Sequence, residues 1–153
     1  MNSVWAVPLL FVLARLAAEG SLEDSVALEK KMAELINVER SARGLDPFQY
    51  LPRLADVARA HSRAMAEAAT PSHEAGGTSL EGRIKSVYPD ACFSGENISK
   101  HINIDYALAD LLTSPGHREN LLSPRYAGIG VGIVRAKGFL FITQDFIQIC
   151  NKR

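Results

Sequence analysis

Apolar residues in the first third of the chain recur at helical spacing. Leu28, Met32, Leu35 and Ile36 fall at i, i+4, i+7 and i+8, and Glu39 continues the stripe at i+11, which predicts a helix over residues 22–43. Gly44 and Pro47 end it, with Gly44 placed where a helix C-terminal cap favours a residue free to turn left-handed. Leu51, Leu54, Val57, Ala58, His61 and Met65 mark one face of a second helix over 51–68. Two adjacent amphipathic helices imply a core that both cover. Residues 69–82 are rich in Thr, Pro, Ser and Gly and read as a loop that carries His73. A short helix over 80–87, the Tyr88-Pro89-Asp90 turn and an extended segment or loop over 94–99 come next, and then a helix over 104–113. Ser114 stands where it caps a further helix, with Pro115 at the first helical position.

The pattern changes in the last third. Ile129, Val131 and Ile133 alternate with Gly128, Gly130 and Gly132, a period of two that predicts a strand. Lys137-Gly138 is a turn, and residues 139–148 form a second, more continuously apolar strand, so the pair reads as an antiparallel hairpin in a buried sheet. Helices first and strands afterwards indicate an α+β layered domain.

Composition narrows the function. The chain has 153 residues, enough for one domain, with 47% hydrophobic and 22% charged residues, so one packed core is within reach. Lysine plus arginine equals aspartate plus glutamate, 17 each. Without a basic field, no nucleic-acid partner is expected, and the same neutrality argues against simple attachment to an anionic membrane. Residues 4–18 are apolar apart from Arg15 and end in Ala17 and Ala18, too short for a spanning helix. Residues 1–20 therefore read as a cleaved secretion signal or a retained anchoring segment, and 22–153 as the folded domain. Nothing else is long enough to span a bilayer as a helix. Cys92 and Cys150 are an even pair: a disulfide between them ties the last strand to the middle of the domain, and two buried thiols are the alternative.

Of the four histidines, His61 lies on the apolar face of the second helix and reads as a packing residue, and His101, in a polar turn, as a solvated one. His73 lies in a loop after Thr70-Pro71-Ser72, and His117 follows Ser114-Pro115-Gly116 in the first turn of a helix. Between them in sequence stands Glu96, within Gly95-Glu96-Asn97. Two imidazoles and a carboxylate from three segments suit a divalent metal such as Zn2+. His73-Glu74 opens like a zinc-protease helix motif, but position 77 is Gly77, and the glycines of 128–132 enter a strand rather than a dinucleotide-binding helix.

Several segments together resemble the CAP/SCP superfamily (cysteine-rich secretory, antigen 5 and pathogenesis-related proteins) in its bacterial form. They are Ile36-Asn37-Val38-Glu39-Arg40 with Gly44-Leu45, the helix from Leu54 to Ala66, Ser72-His73, Gly82-Arg83-Ile84, Gly95-Glu96-Asn97-Ile98, Ser114-Pro115-Gly116-His117-Arg118-Glu119-Asn120-Leu121-Leu122, Gly128-Ile129-Gly130-Val131-Gly132 and Thr143-Gln144-Asp145-Phe146. They occur in the family's order over roughly residues 28–147. The resemblance implies a three-layer α-β-α sandwich with a central antiparallel sheet. It also implies a cleft in which His73, Glu96 and His117 are candidate metal ligands, Glu96 being the catalytic candidate if there is a reaction. The family's second acid aligns with Ser114, which with Asn97 and Gln144 is expected to line the cleft.

The leading expectation is a secreted or cell-envelope binding domain, not an enzyme, holding a divalent metal or a small ligand such as a lipid, sterol or glycan. One alternative is a zinc-dependent hydrolase, with metal-bound water as nucleophile and Glu96 as general base. The other is an extracellular interaction module with a vestigial cleft. Oligomeric state is not legible.

Overall fold

In a computed structural model the chain is described from residue 9 to residue 150, with side chains from residue 22 onward. The leader or anchor expected over 1–20 therefore falls outside the fully described residues. No described helix is long and apolar enough to cross a membrane.

Among the described residues ten elements follow in order: α1 (Leu9–Ser41), β1 (Gln49–Tyr50), α2 (Pro52–Ala68), a 3-10 turn (Ala75–Gly77), α3 (Leu80–Lys85), β2 (Ala91–His101), α4 (Ile104–Thr113), α5 (Pro115–Leu122), β3 (Gly128–Ala136) and β4 (Phe139–Ile149). The sheet order is β1-β3-β4-β2, antiparallel except where the two residues of β1 run parallel to β3. The strand expected as a short segment over 94–99 is the eleven-residue β2, paired with β4 along its length. Its polar side chains, buried Glu96 and Asn97 included, hide the apolar alternation that marks a buried strand.

Alternation across β3 and β4 makes the three layers. Ile129, Val131, Ile133, Ile142 and Phe146 face one way, onto Met32 and Ile36 of α1 and Ala107, Leu108 and Leu111 of α4. Gly128, Gly130 and Gly132 face the other way, onto α2. A Cβ on Gly132 would fall inside the Ala58–Arg59 backbone, and one on Gly130 inside Leu54–Ala55, so glycine lets α2 lie directly on the sheet. The buried stripe of α2 is accordingly built on small residues, Ala55, Ala58, Ser62 and Ala66, between Leu54 and Met65.

Two buried charged groups lock the layers. Glu29 on α1 is fully buried and takes Arg59 of α2 on both oxygens, at 2.7 and 2.6 Å, and its Oε1 also accepts the Ile133 amide at 3.0 Å. That amide lies on β3 beyond the reach of β1, so Glu29 satisfies a strand edge that would otherwise be buried without a partner. Arg40, also buried, donates to the carbonyls of Asp46, Leu121 and Ser123 and lies 3.6 Å over the Phe48 ring. Gly44 adopts the expected left-handed conformation, φ +71°, after the end of α1.

Ser114 departs from expectation. It precedes α5 in extended conformation, but its side chain makes no capping bond. It ends α4 and begins α5 at once: its amide donates to the Asp110 carbonyl at 3.1 Å and its carbonyl accepts from Arg118 at 2.8 Å. Cys92 and Cys150 form a disulfide, with Cα atoms 5.6 Å apart and both residues exposed, so the alternative of buried thiols falls.

Candidate functional site

Glu96 is delivered by the edge strand β2 with its side chain on the α2 side of the sheet and only 2% exposed. A carboxylate this dry requires partners, and three segments supply them. His73, in the loop after α2, brings Nδ1 to 2.6 Å from Oε1. His61 of α2 brings Nδ1 to 3.2 Å from Oε2. Arg83 of α3 donates from Nη2 to the same Oε2, and from Nη1 to the Thr78 carbonyl at 2.6 Å and the His73 carbonyl at 3.3 Å. Arg83 thus neutralises Glu96 and ties down the loop that carries His73. An ionised carboxylate only accepts, so His73 gives it its Nδ1–H, which leaves Nε2 of His73 free of a proton in the neutral ring.

The exposure of the partners differs. The His73 side chain is 57% exposed, whereas His61 is sealed beneath the loop beside Thr143, whose Oγ1 lies 3.3 Å from its Nδ1. Burial, foremost, lowers the His61 pKa; Arg83 and His73 add to this and Glu96 opposes it. His73 and Glu96 share a wall of a cleft of about 610 Å3 with Glu74, Thr78, Ser79 and Leu80.

The other expected residues are placed differently. His117, half-buried in the first turn of α5, has its pKa lowered by burial and then by the nearby charge of His73, and its carbonyl accepts from Asn97 Nδ2 at 3.0 Å. Asn97 and Gln144 point to the face opposite Glu96 and are completely buried. Asn97 also bonds Gln144 Oε1 at 3.2 Å and accepts from Asn120 Nδ2 at 3.0 Å, and so latches α5 to the sheet. Ser114 sits at the α4–α5 bend. His101 is the last residue of β2, not a residue of a polar turn; its side chain is largely covered, with Nε2 at 3.2 Å from Asp110 Oδ2.

Sequence reasoning missed His61, Arg83 and Asp145 as members of this cluster. His61 does pack in the core, as expected from its apolar helix face, but its polar neighbours there are the Thr143 hydroxyl and Glu96. Arg83 was visible only as part of Gly82-Arg83-Ile84. Asp145 becomes a neighbour of Glu96 only through the register of β2 against β4.

These residues do not fit a metal centre as they are arranged. Among the described residues no three His, Cys, Asp or Glu side chains are grouped to hold a metal ion. Both oxygens of Glu96 are engaged by donors, one of them a guanidinium that competes with any cation for the same charge.

Comparison with known proteins places the fold. A family model described as the cysteine-rich secretory protein family, CAP, matches residues 33–151. The chain is 36% identical over 124 residues to the uncharacterized Bacillus subtilis protein YkwD, covering 79% of this chain and 47% of that protein. It is 34% identical over 122 residues to the uncharacterized Bacillus subtilis membrane protein YlbC, covering 78% and 34%. The chain thus spans less than half the length of these relatives. An extracellular, SCP-domain-containing protein of Bacillus anthracis superposes with a TM-score of 0.77 at 30% identity, over 85% of this chain and 43% of that one. An outer surface protein of Borrelia burgdorferi shares the fold, with a TM-score of 0.74 at 20% identity over 79% and 92%. The three layers, the family motifs in their order and the family-model match converge on one assignment: the chain belongs to the cysteine-rich secretory protein (CAP) family, in its bacterial form.

Proposed function

We propose that this domain works outside the cytoplasm as a metal-free binding module whose cleft takes a small hydroxyl-rich ligand, a glycan, through His73. The observation that carries this reading is how the cluster divides its work. Glu96 is consumed inward by His61 and Arg83, while its third partner, His73, is the exposed one and presents Nε2 to the cleft. Thr78, Ser79 and Glu74 add polar atoms to the same wall, and Leu80 is its one large apolar side chain. These polar atoms give hydroxyl groups hydrogen-bond partners, and the apolar surface around Leu80 suits the less polar face of a sugar ring. The exposed disulfide suits an oxidising compartment, and the Bacillus anthracis relative is an extracellular protein.

The test is a binding panel of soluble oligosaccharides, a fatty acid, a sterol and Zn2+ alone, read by calorimetry on wild type and His73→Ala. Saturable binding of an oligosaccharide, weakened tenfold or more in His73→Ala, is expected. Binding confined to the apolar probes, or oligosaccharide binding indifferent to His73, would overturn it. Hydrolysis of a bound oligosaccharide that vanishes in Glu96→Gln would move the assignment from binding to catalysis.

A further inference from the structure

The two edges of the sheet are finished differently. One edge is β2, which carries Glu96; at the other, β1 pairs only with Gly128 and Ile129 and leaves the rest of β3 with no strand beside it. There the Leu51 amide donates to the Ile129 carbonyl and the Ile133 amide donates to Glu29, so the odd-numbered residues of β3 turn their backbone groups to this edge. The same alternation points the N–H and C=O of Arg135 outward, two residues beyond the position that Glu29 fills.

A cleft of about 910 Å3 opens beside this edge, between α1 and α2, and shares no residue with the cleft at His73. Leu22 and Leu28 of α1, with Ile133 and Leu140 of the hairpin, give it apolar surface. Lys31, Arg63 and Arg135 stand around that surface, all three exposed, and among the described residues Asp24 is the one acid that lines it. Arg59 also lines the cleft but is held by Glu29 and Asp56. Among the described residues neither Arg63 nor Arg135 has a carboxylate in ion-pair range, and Lys31 reaches only the exposed Glu34, 3.9 Å away. Each part of this arrangement selects a chemistry. An open strand edge takes an extended peptide backbone, whose side chains alternate between two faces. The apolar surface takes one set of those side chains, and the excess of cations favours carboxylates in the other. An acyl chain or a sugar polymer would leave the edge groups of Arg135 without backbone partners. Glu29 does from within the domain what such a peptide does from outside: its carboxylate caps an edge amide and pairs with an arginine.

We propose that this edge of β3 is a docking site for a short, extended, acidic segment of a partner protein. The segment adds as a strand at Arg135 and lays its carboxylates against Arg63, Arg135 and Lys31. The site stands apart from the reading of the His73 cleft, since the Glu96 cluster belongs to the opposite edge of the sheet.

The test uses the whole chain and a fluorescein-labelled octapeptide of alternating glutamate and valine. Saturable binding at low salt is expected, weakened tenfold or more by high salt and by the double substitution Arg63→Glu, Arg135→Glu. The same peptide N-methylated along its backbone, and an octapeptide with lysine in place of glutamate, are each expected to bind at least tenfold more weakly. In wild-type protein, with no substitution needed, the Arg135 amide is expected to exchange its hydrogen more slowly once the acidic peptide is bound. No saturable binding of that peptide, binding equally strong in the double variant, or an Arg135 amide unchanged at saturation would each overturn the proposal. Binding of dodecanoate without binding of the peptide would overturn it in favour of an anionic lipid.

Discussion

Around Glu96, burial and charge compete at the level of single side chains, and pH resolves the contest. His61 has its pKa lowered mainly by burial, so below the ordinary imidazole value of about 6.5 the unfolded chain binds a proton that the native state refuses. Its contribution is fully present above that pH and is lost as pH falls through it; His117 follows the same sign. Asp145 has the opposite sign. Its pKa is raised, so the native state keeps a proton that the unfolded chain releases above about 4, and stability falls as pH rises from there. Melting curves of His61→Gln against wild type between pH 8 and 5 are expected to show the wild type losing ground to the variant as the pH drops. A difference constant with pH would contradict the assignment. Glu96→Ala, which strands the buried guanidinium of Arg83, is expected to cost about 3–5 kcal/mol in denaturant unfolding. His73 and Glu96 stood out in the sequence as a loop histidine and a carboxylate between Gly95 and Asn97, singled out chiefly by the family resemblance, and the structure brings the two side chains together. His61 was not legible as a site residue, because a histidine on an apolar helix face looks the same whether it packs against a leucine or a carboxylate.

At the scale of elements, the fold depends on a helix lying on glycines. Gly132→Ala would place a methyl group in the backbone of α2, and since that backbone also carries Arg59 and His61, the helix has to lift away from the sheet. A loss of about 3 kcal/mol or more is expected from chemical denaturation, whereas Gly116→Ala, at a site open to solvent, is expected to change little. Arg40 is the equivalent clamp on the other face. Arg40→Leu leaves the carbonyls of Leu121 and Ser123 unanswered where α5 ends, and a loss of about 3 kcal/mol is expected by the same measurement. Elements with a strong apolar period were legible: the helix expected over 104–113 is α4, and the glycine-alternating strand is β3. β2 was only partly legible, because an edge strand is specified by its partner's backbone more than by its own side chains. The α1 stripe was legible in Met32 and Ile36, but the buried member of its last turn is Arg40, not Glu39. A long cation with carbonyls to meet displaces a carboxylate that has none.

For the molecule as a whole, the disulfide and the inward-facing Glu96 cluster bear on different properties. Cys92–Cys150 closes a loop across 58 residues and joins the start of β2 to the end of β4, the two strands that hold Glu96 opposite Asp145. Loop-closure entropy puts its contribution at about 4 kcal/mol, so a Cys92→Ser, Cys150→Ser double variant is expected to unfold at markedly lower denaturant with its fold otherwise kept. The same strands carry the claim on which the functional account rests, that Glu96 is satisfied from within the domain and leaves His73 to meet a ligand without a metal. Calorimetric titration of Zn2+ into metal-stripped wild type and His73→Ala at neutral pH tests it most directly. The account predicts no saturable micromolar binding in either protein; micromolar binding by the wild type that is lost in His73→Ala would contradict it.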